Sequence, residues 1–224
     1  MRPVPTRPSR PMPNRLPGAF DDEHGPVNYA HILPMFRYLI SIIFILLVIA
    51  GSAAIFFPDY WEHRYDDLIS RQARVYRIDE KLVWSVIYEE TYFRAWKVGA
   101  ADEVGLMQVT PLVAREWAKE TGLKEMERQA ASNVGELLSD PERNIQVGCW
   151  YLEKIREKYR ERPAETAMML AAYNAGASRV DEWTRDADTA TMTESDFVAR
   201  IAIPSTRSYV TSILERYRAQ PKQK

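Results

Sequence analysis

An uncharged run of twenty residues, YLISIIFILLVIAGSAAIFF from Tyr38 to Phe57, places the strongest constraint on how this chain can fold. At the helical rise of about 1.5 Å per residue the run would extend about 30 Å, the thickness of the hydrocarbon core of a bilayer. We therefore predict a single membrane-spanning helix over residues 37–58.

A cleavable signal peptide is the alternative interpretation of this run, because the segment AGSAA at 50–54 offers the small residues of a cleavage site. The length of the run and of the segment before it favours a retained span. Arg37 stands before the run, and Asp59, Tyr60 and Trp61 follow it. This asymmetry of charge, with aromatic residues typical of an interface, predicts a cytoplasmic N-terminus and an extracytoplasmic remainder.

Proline and arginine dominate the residues before the span. Eight of the fourteen prolines lie within the first 34 residues. Proline removes a backbone donor and blocks regular helix and sheet, and the segment has too few apolar residues to collapse. We predict a disordered cytoplasmic tail over residues 1–36. A proline motif for a partner protein is the alternative.

Helical start and stop signals fill the rest of the chain. The predicted starts are Asp79, Thr110–Pro111, Asp140–Pro141, Pro163 and Pro204, and the predicted stops are Gly122 and Gly176. No alternating run is long enough for a confident strand. The fold class is therefore mainly α, with one compact domain over residues 59–224.

Composition excludes several classes of function. The formal net charge of −1 argues against nucleic-acid binding, which needs a strongly basic face. Cys149 is the single cysteine, so no intramolecular disulfide can form. The last of the three histidines is His63. Beyond it there can be no histidine-based triad and no imidazole zinc site, so any chemistry there must use carboxylates, hydroxyls, amides or lysines.

Two adjacent glutamates end the helix that Asp79 begins. The apolar face of this helix is formed by Leu82, Val83, Val86 and Ile87. At 100° per residue Glu90 falls near the middle of that face, whereas Glu89 lies about a quarter-turn away. A partly desolvated carboxyl has a raised pKa, as a general acid near neutral pH requires. The alternative is that Glu90 pairs with a buried arginine or with a helix terminus.

Four further segments follow Glu90 in a characteristic order. The segment that begins with Glu90 reads ETYF, and the four that follow it read GLMQ, NIQVG, AYNAG and IPSTRSYV. In this order the segments resemble the lytic transglycosylases with the soluble-transglycosylase (SLT) domain, relatives of goose-type lysozyme, over Tyr76–Leu214. The resemblance implies a lysozyme-like fold and cleavage of the MurNAc–GlcNAc β-1,4 bond of peptidoglycan. It also implies that the span lies in a bacterial inner membrane, with the domain in the periplasm.

The resemblance also implies a set of site residues. Glu90 matches the catalytic acid, and the residues expected to bind or face the glycan are Thr91, Gln108, Thr110, Tyr173, Asn174 and Tyr209. Tyr173 would orient Glu90 or the sugar through its hydroxyl. Thr91 replaces the family's serine and keeps its hydroxyl. Ser205 replaces a common glutamate, and Asp102 and Glu103 add two acids before the GLMQ turn.

The mechanism that the resemblance implies needs one carboxyl group. Glu90 would first protonate the glycosidic oxygen and then accept the proton of the C6 hydroxyl of MurNAc, giving a 1,6-anhydro sugar without a cofactor. One alternative is hydrolysis, with Asp102 or Glu103 positioning a water. Another is a silent, membrane-tethered module that binds peptidoglycan. Cell-wall or secretion-assembly proteins stay open as further partners.

Overall fold

The computed structural model describes residues 32–220. These residues form eleven α-helices and no strand, which confirms the mainly α fold class. The helices are α1 (Ile32–His63), α2 (Asp66–Tyr76), α3 (Glu80–Thr91), α4 (Pro111–Thr121), α5 (Lys124–Ser132), α6 (Val134–Ser139), α7 (Pro141–Tyr159), α8 (Glu165–Ala175), α9 (Ala177–Trp183), α10 (Glu194–Arg200) and α11 (Pro204–Ala219). The disorder predicted for the N-terminal tail falls almost wholly on residues 1–31, outside the described part.

Helix α1 contains the apolar run. Its composition and length suffice to cross a membrane, with a mean hydropathy of 2.9 in its most apolar window. The side chains at 34–54 are exposed. The span over 37–58 lies inside this helix and stays a prediction. The chain divides into a unit that ends at Ala53 and a second unit that begins at Ala54.

The second unit therefore begins five residues before the predicted domain boundary at 59. It includes the last ten residues of α1, among which Trp61 packs against the buried core. The domain over residues 59–224 stays a prediction.

Helix α8 lies at the centre of this unit and packs against α7, α9, α10 and α11. Six consecutive side chains from Ala167 to Ala172 are buried, so the helix is covered nearly all round. Three of the six are alanine, which allows close approach of the neighbouring helices. The helix begins two residues after the predicted start at Pro163 and ends at the predicted Gly176, carrying Tyr173 and Asn174 in its last turn.

Helix α3 places Glu90 at the edge of this core. Asp79 caps its N-terminus as predicted, accepting a hydrogen bond from the Lys81 backbone N–H at 2.9 Å. Its apolar face is buried and packs against α2 and α11. After Thr91 the backbone enters the left-handed region twice in succession, with φ 50° at Tyr92 and φ 58° at Phe93. The helix therefore stops one residue after Glu90.

Candidate active site

Glu90 is partly buried at the C-terminal end of α3. The hydroxyl of Tyr209, from α11, donates a hydrogen bond to its Oε1 at 2.8 Å. The neighbouring Glu89 forms an ion pair with Arg216 at 3.0 Å. The two glutamates therefore differ as the helical geometry predicts, and the arginine pairs with Glu89, not with Glu90.

Burial raises the pKa of Glu90 to about 7. The hydrogen bond from Tyr209 and the positive charge of Lys97 act in the opposite direction, and the negative charges of Glu103 and Glu89 raise the pKa further. The Lys97 ammonium group also donates to the backbone carbonyl of Glu90. Glu90 can therefore hold its proton near neutral pH and still release it to an acceptor.

The GLMQ segment forms a tight turn beside Glu90. Gly105 has φ 77° and Gln108 has φ 47°. Asn144 of α7 is fully buried and holds this turn: its Oδ1 accepts from the Met107 backbone N–H at 2.8 Å, and its Nδ2 donates to the Val104 carbonyl at 2.7 Å. A Cβ at Gly105 would lie 2.3 Å from Asn144 Nδ2, so the approach requires glycine.

Two further contacts fix Met107. A Cβ at Gly148, inside α7, would lie 2.3 Å from the sulfur of Met107, so the side chain of Met107 packs directly against the helix backbone there. The hydroxyl of Tyr173 donates to the Met107 carbonyl at 2.7 Å. The hydroxyl of Tyr173 therefore does not bond to Glu90, and Tyr209 makes that contact because α11 packs against α3. That Tyr173 orients the sugar stays a prediction.

Thr91 connects α3 with the same turn. Its side chain is 1% exposed, and its hydroxyl lies 3.0 Å from the carbonyl oxygen of Leu106 and 3.2 Å from that of Ile87. A hydroxyl enclosed in this way faces the protein interior. Its placement fits a positioning role for Thr91, since contact with a glycan would require exposure.

The other predicted binding residues bond to groups other than Glu90. Gln108 is partly buried, and its Nε2 donates to the carbonyls of Lys97 at 3.1 Å and Gly105 at 3.0 Å. Thr110 caps α4. Asn174 is exposed, and its Oδ1 accepts a hydrogen bond from Thr206 at 2.7 Å. The structure therefore joins Glu90 directly to Tyr209, and these three side chains bond to other groups.

Sequence reasoning missed Lys97, Asn144 and Thr206. Asn144 had a detectable signal, because it is a polar residue on the apolar face of α7, and buried amides are hydrogen-bonded in folded proteins. Lys97 lies in the irregular segment between α3 and α4, where no periodicity predicts direction. Thr206 could be paired with Asn174 only once the packing of α8 against α11 was known.

The two acids of the ADEVG segment differ in their relation to Glu90. Glu103 is partly buried, accepts a hydrogen bond from the Ala101 backbone N–H at 2.9 Å, and raises the pKa of Glu90 by its charge. Asp102 is exposed and has φ 61°. Of the two, Glu103 is the acid whose charge acts on Glu90.

Two cavities in the described part lie elsewhere. The larger is lined by residues of α1, α2 and α3 such as Glu62, Asp66 and Trp84, and the smaller by residues 129–143. Glu90 lines neither cavity. No group of three or more candidate metal-ligating side chains occurs among residues 32–220.

Comparison with known proteins identifies the family. Residues 67–195 match the model described as the transglycosylase SLT domain. This match covers more than half of the chain, so the chain belongs to the SLT transglycosylase domain family.

Curated relatives share this region. A membrane-bound lytic murein transglycosylase C from Histophilus somni (strain 2336) is 34% identical over 122 residues, which are 52% of this chain and 32% of the relative. The protein of the same name from Edwardsiella ictaluri (strain 93-146) is 30% identical over 122 residues, 53% of this chain and 33% of the relative. The chain spans about a third of the length of these relatives.

Solved structures confirm the fold. The 70 kDa soluble lytic transglycosylase from Escherichia coli aligns with a TM-score of 0.58 and 25% identity, covering 68% of this chain and 23% of that protein. An inactive mutant of lytic transglycosylase Slt from Pseudomonas aeruginosa aligns with a TM-score of 0.61 and 23% identity, covering 70% of this chain and 24% of that protein. The predicted lysozyme-like SLT fold is thus confirmed.

Proposed function

We propose that this chain is a membrane-anchored peptidoglycan lytic transglycosylase that cleaves the MurNAc–GlcNAc β-1,4 bond and leaves a 1,6-anhydro-MurNAc end. The observation that carries the proposal is Glu90, a partly buried carboxyl with a pKa of about 7 and a single hydrogen-bonding tyrosine. Membership of the SLT family and the names of the curated relatives support the same activity.

Glu90 acts first as an acid. Its proton passes to the glycosidic oxygen as the bond from C1 of MurNAc breaks, and the GlcNAc fragment leaves with a free C4 hydroxyl. The resulting carboxylate is stabilised by the hydroxyl of Tyr209 and by the charge of Lys97, both of which lower the pKa of Glu90. The two residues therefore stabilise Glu90 in the charged form that appears during the reaction.

Glu90 then acts as a base. Its carboxylate takes the proton of the C6 hydroxyl of the same MurNAc, and the oxygen bonds to C1 to close the anhydro ring. The nucleophile belongs to the substrate, so the step gains a high effective concentration and consumes no water. Glu90 regains its proton, and the site is ready for the next bond.

Polar side chains around Glu90 would hold the glycan. Asn174 is exposed and already hydrogen-bonded to Thr206, which fixes its amide. The Gln108 amide donates two hydrogen bonds through Nε2, and its Oε1 can accept a bond from an acetamido N–H. Thr110 and Tyr173 are partly buried beside the same segments. We assign these four residues to substrate binding.

Hydrolysis is the second candidate because Glu103 acts electrostatically on Glu90. In that reaction Glu103 would position a water opposite Glu90, and the product would be heavier by one water than the anhydro product. Digestion of purified sacculi by the detergent-solubilised full chain, with mass spectrometry of the released sugars, separates the two. We expect the anhydro mass.

Glu90→Gln tests the assignment of the acid. We expect this variant to lose at least about 10²-fold in rate, the usual contribution of a general acid. Glu89→Gln is the matched control, because it alters the neighbouring carboxyl that is paired with Arg216, and it should retain activity. If Glu90→Gln digested sacculi normally, or if the wild-type chain bound them without releasing sugars, the transglycosylase proposal would be wrong and a binding module would be favoured.

We also propose a single-pass topology in the bacterial inner membrane. The span over 37–58 would leave the tail of residues 1–36 in the cytoplasm and the SLT domain of residues 59–224 in the periplasm. The charge asymmetry around α1 and the membrane-bound relatives support this arrangement. A C-terminal alkaline phosphatase fusion should be active, and an N-terminal fusion should be inactive. The reverse result would contradict the topology.

A further inference from the structure

The end of α1 contacts the turn that follows Glu90. The indole Nε1 of Trp61 donates a hydrogen bond to the Tyr92 carbonyl at 2.9 Å. The guanidinium Nη2 of Arg64 donates to the carbonyl of the next residue, Phe93. Two residues near the end of the anchor helix therefore bind two successive carbonyls just beyond the catalytic helix.

Further contacts link the same two segments. The hydroxyl of Tyr92 donates to Glu62 Oε1 at 3.1 Å, and the Trp84 indole of α3 lies 3.3 Å from the Glu62 carbonyl. The guanidinium of Arg64 stacks 3.4 Å above the Trp61 ring. Stacking of this kind fixes a planar guanidinium in one orientation, which an ammonium group does not reproduce.

The turn has an intrinsic need for such support. Tyr92 and Phe93 both have positive φ, which is unfavourable for large side chains and persists only when the surroundings impose it. The last carbonyls of a helix also lack partners inside the helix. Trp61 and Arg64 supply donors to this strained turn, immediately after Glu90.

We propose that Trp61 and Arg64 are positioning residues for the reaction, so that the end of the membrane anchor forms part of the catalytic apparatus. By binding the carbonyls of Tyr92 and Phe93 they keep α3 from unwinding at Glu90. Both lie before residues 67–195, the region matched by the family model. The proposal rests on the proposed function of Glu90.

A loosened turn would change the surroundings of Glu90 in a predictable direction. Water would reach the carboxyl, and its pKa would fall from about 7 toward its ordinary value, because burial is the largest cause of the rise. The groups that face Glu90 from the packed elements are Tyr209, Lys97, Glu103, Glu89 and Tyr173. None of these is altered by a change at residues 61–64.

Arg64→Lys and Trp61→Phe test the proposal in the detergent-solubilised full chain. The first keeps the charge and loses the planar donor, and the second keeps a ring and loses the N–H. We expect each to lower kcat for sacculus digestion about tenfold with little change in KM. The alkaline limb of the pH profile should move to lower pH, because the proton of Glu90 is lost earlier.

Arg156→Lys is the matched control. Arg156 donates to the carbonyl of Arg77 at 2.6 Å, and Arg77 also has positive φ, 55°. This contact lies at the C-terminal cap of α2, three residues before α3 begins, whereas Glu90 lies at the far end of α3. We expect Arg156→Lys to leave both kcat and the pH profile at wild-type values.

Hydrogen exchange at the amides of residues 92–97 gives a readout that does not depend on activity. The proposal expects faster exchange there in Arg64→Lys and Trp61→Phe than in the wild type. If the two variants kept the wild-type exchange, or kept the wild-type pH profile and kcat, the positioning role would be overturned. If the wild-type chain itself did not digest sacculi, the proposed function would be overturned. That result is distinct from failure of the positioning role, which is measured as a difference between each variant and the active wild type.

Discussion

The two ends of helix α3 are built in opposite ways. At its start Asp79 caps the first turn with its own side chain, a contact between residues two apart in sequence. At its end two left-handed aromatic residues are held by Trp61 and Arg64, which lie about thirty residues earlier. The start of the helix is therefore encoded locally, whereas its end depends on tertiary contacts.

The proposed function places the reacting carboxyl at the end of α3 that depends on tertiary contacts. The capping bond of Asp79 is made within the first turn, and the Tyr217 hydroxyl donates in addition to the second oxygen of the same carboxylate. Glu90, by contrast, needs burial to keep its proton and Tyr209 to release it, and each of these has to be supplied by a distant segment. Strain and partial desolvation destabilise a fold, so they persist here because the surrounding contacts offset them.

The largest effect on stability is expected where the GLMQ turn supports the end of α3. Gly105→Ala should cost about 3 kcal/mol of unfolding free energy, because the new Cβ would meet Asn144 Nδ2 at 2.3 Å and the Leu138 carbonyl at 2.8 Å. Gly122→Ala is the control. Gly122 also has positive φ, 67°, but has no atom within 4 Å of such a Cβ, so about 1 kcal/mol is expected. Denaturant unfolding measures both, and equal costs would show that backbone strain alone is responsible.

Glu90→Gln should stabilise the fold at alkaline pH. The pKa of Glu90 rises from 4.5 to about 7 on folding, so the native state binds more protons between these values and stability falls as pH rises through them. Above the folded pKa the buried carboxylate costs up to about 3 kcal/mol, which a neutral amide avoids. Thermal unfolding should show a gain at about pH 8 and little change at about pH 4. A gain of equal size at both pH values would contradict the buried, raised-pKa carboxyl.

Tyr209→Phe should lower the activity about tenfold, which corresponds to about 1.4 kcal/mol in the barrier. Loss of its hydrogen bond destabilises the carboxylate, so the pKa of Glu90 should rise above about 7 and the alkaline limb should move to higher pH. Tyr217→Phe is the control, because Tyr217 donates at 2.8 Å to Asp79, at the opposite end of α3. Kinetics across pH measure both. A shift in the Tyr217 variant would show that the two ends are coupled.

The smallest effect is expected at the start of α3. Asp79→Ala should cost about 1 kcal/mol of stability by loss of the cap, with activity per folded molecule unchanged. Asp140→Ala, which removes the cap of α7, is the comparison and should behave alike. Urea unfolding and sacculus digestion on the same samples check both. A fall in activity at Asp79 would show that the start of α3 also serves the site.

Much of the fold could be predicted from the sequence. The starts at Thr110, Asp140 and Pro204 and the stops at Gly122 and Gly176 agree with the structure, because caps and helix-terminating glycines act within a few residues. Helices α2, α5, α6, α9 and α10 were not individually predicted. The last four are nine residues or shorter, so their apolar pattern is brief and tertiary packing determines them, and the sequence before α2 has no side-chain cap to mark its start.

The site was predicted in its residue types and less well in its contacts. Periodicity placed Glu90 on the buried face and Glu89 beside it, as the structure has them. The hydroxyl of Tyr173 bonds to Met107, and that of Tyr209 bonds to Glu90, because the packing of α11 against α3 brings the phenol of Tyr209 to the carboxyl. Periodicity along one helix does not predict which other helix will pack against it.

The sequence by itself determined the helical class, the long apolar helix α1 and the position of one glutamate at the border of a buried face. These follow from interactions between residues a few positions apart. Only the tertiary structure decided that Tyr209 bonds to Glu90, that Asn144 holds the GLMQ turn and that Trp61 and Arg64 reach the turn after α3. The physical reason is that these contacts join residues far apart in sequence, and their geometry exists only when the helices have packed.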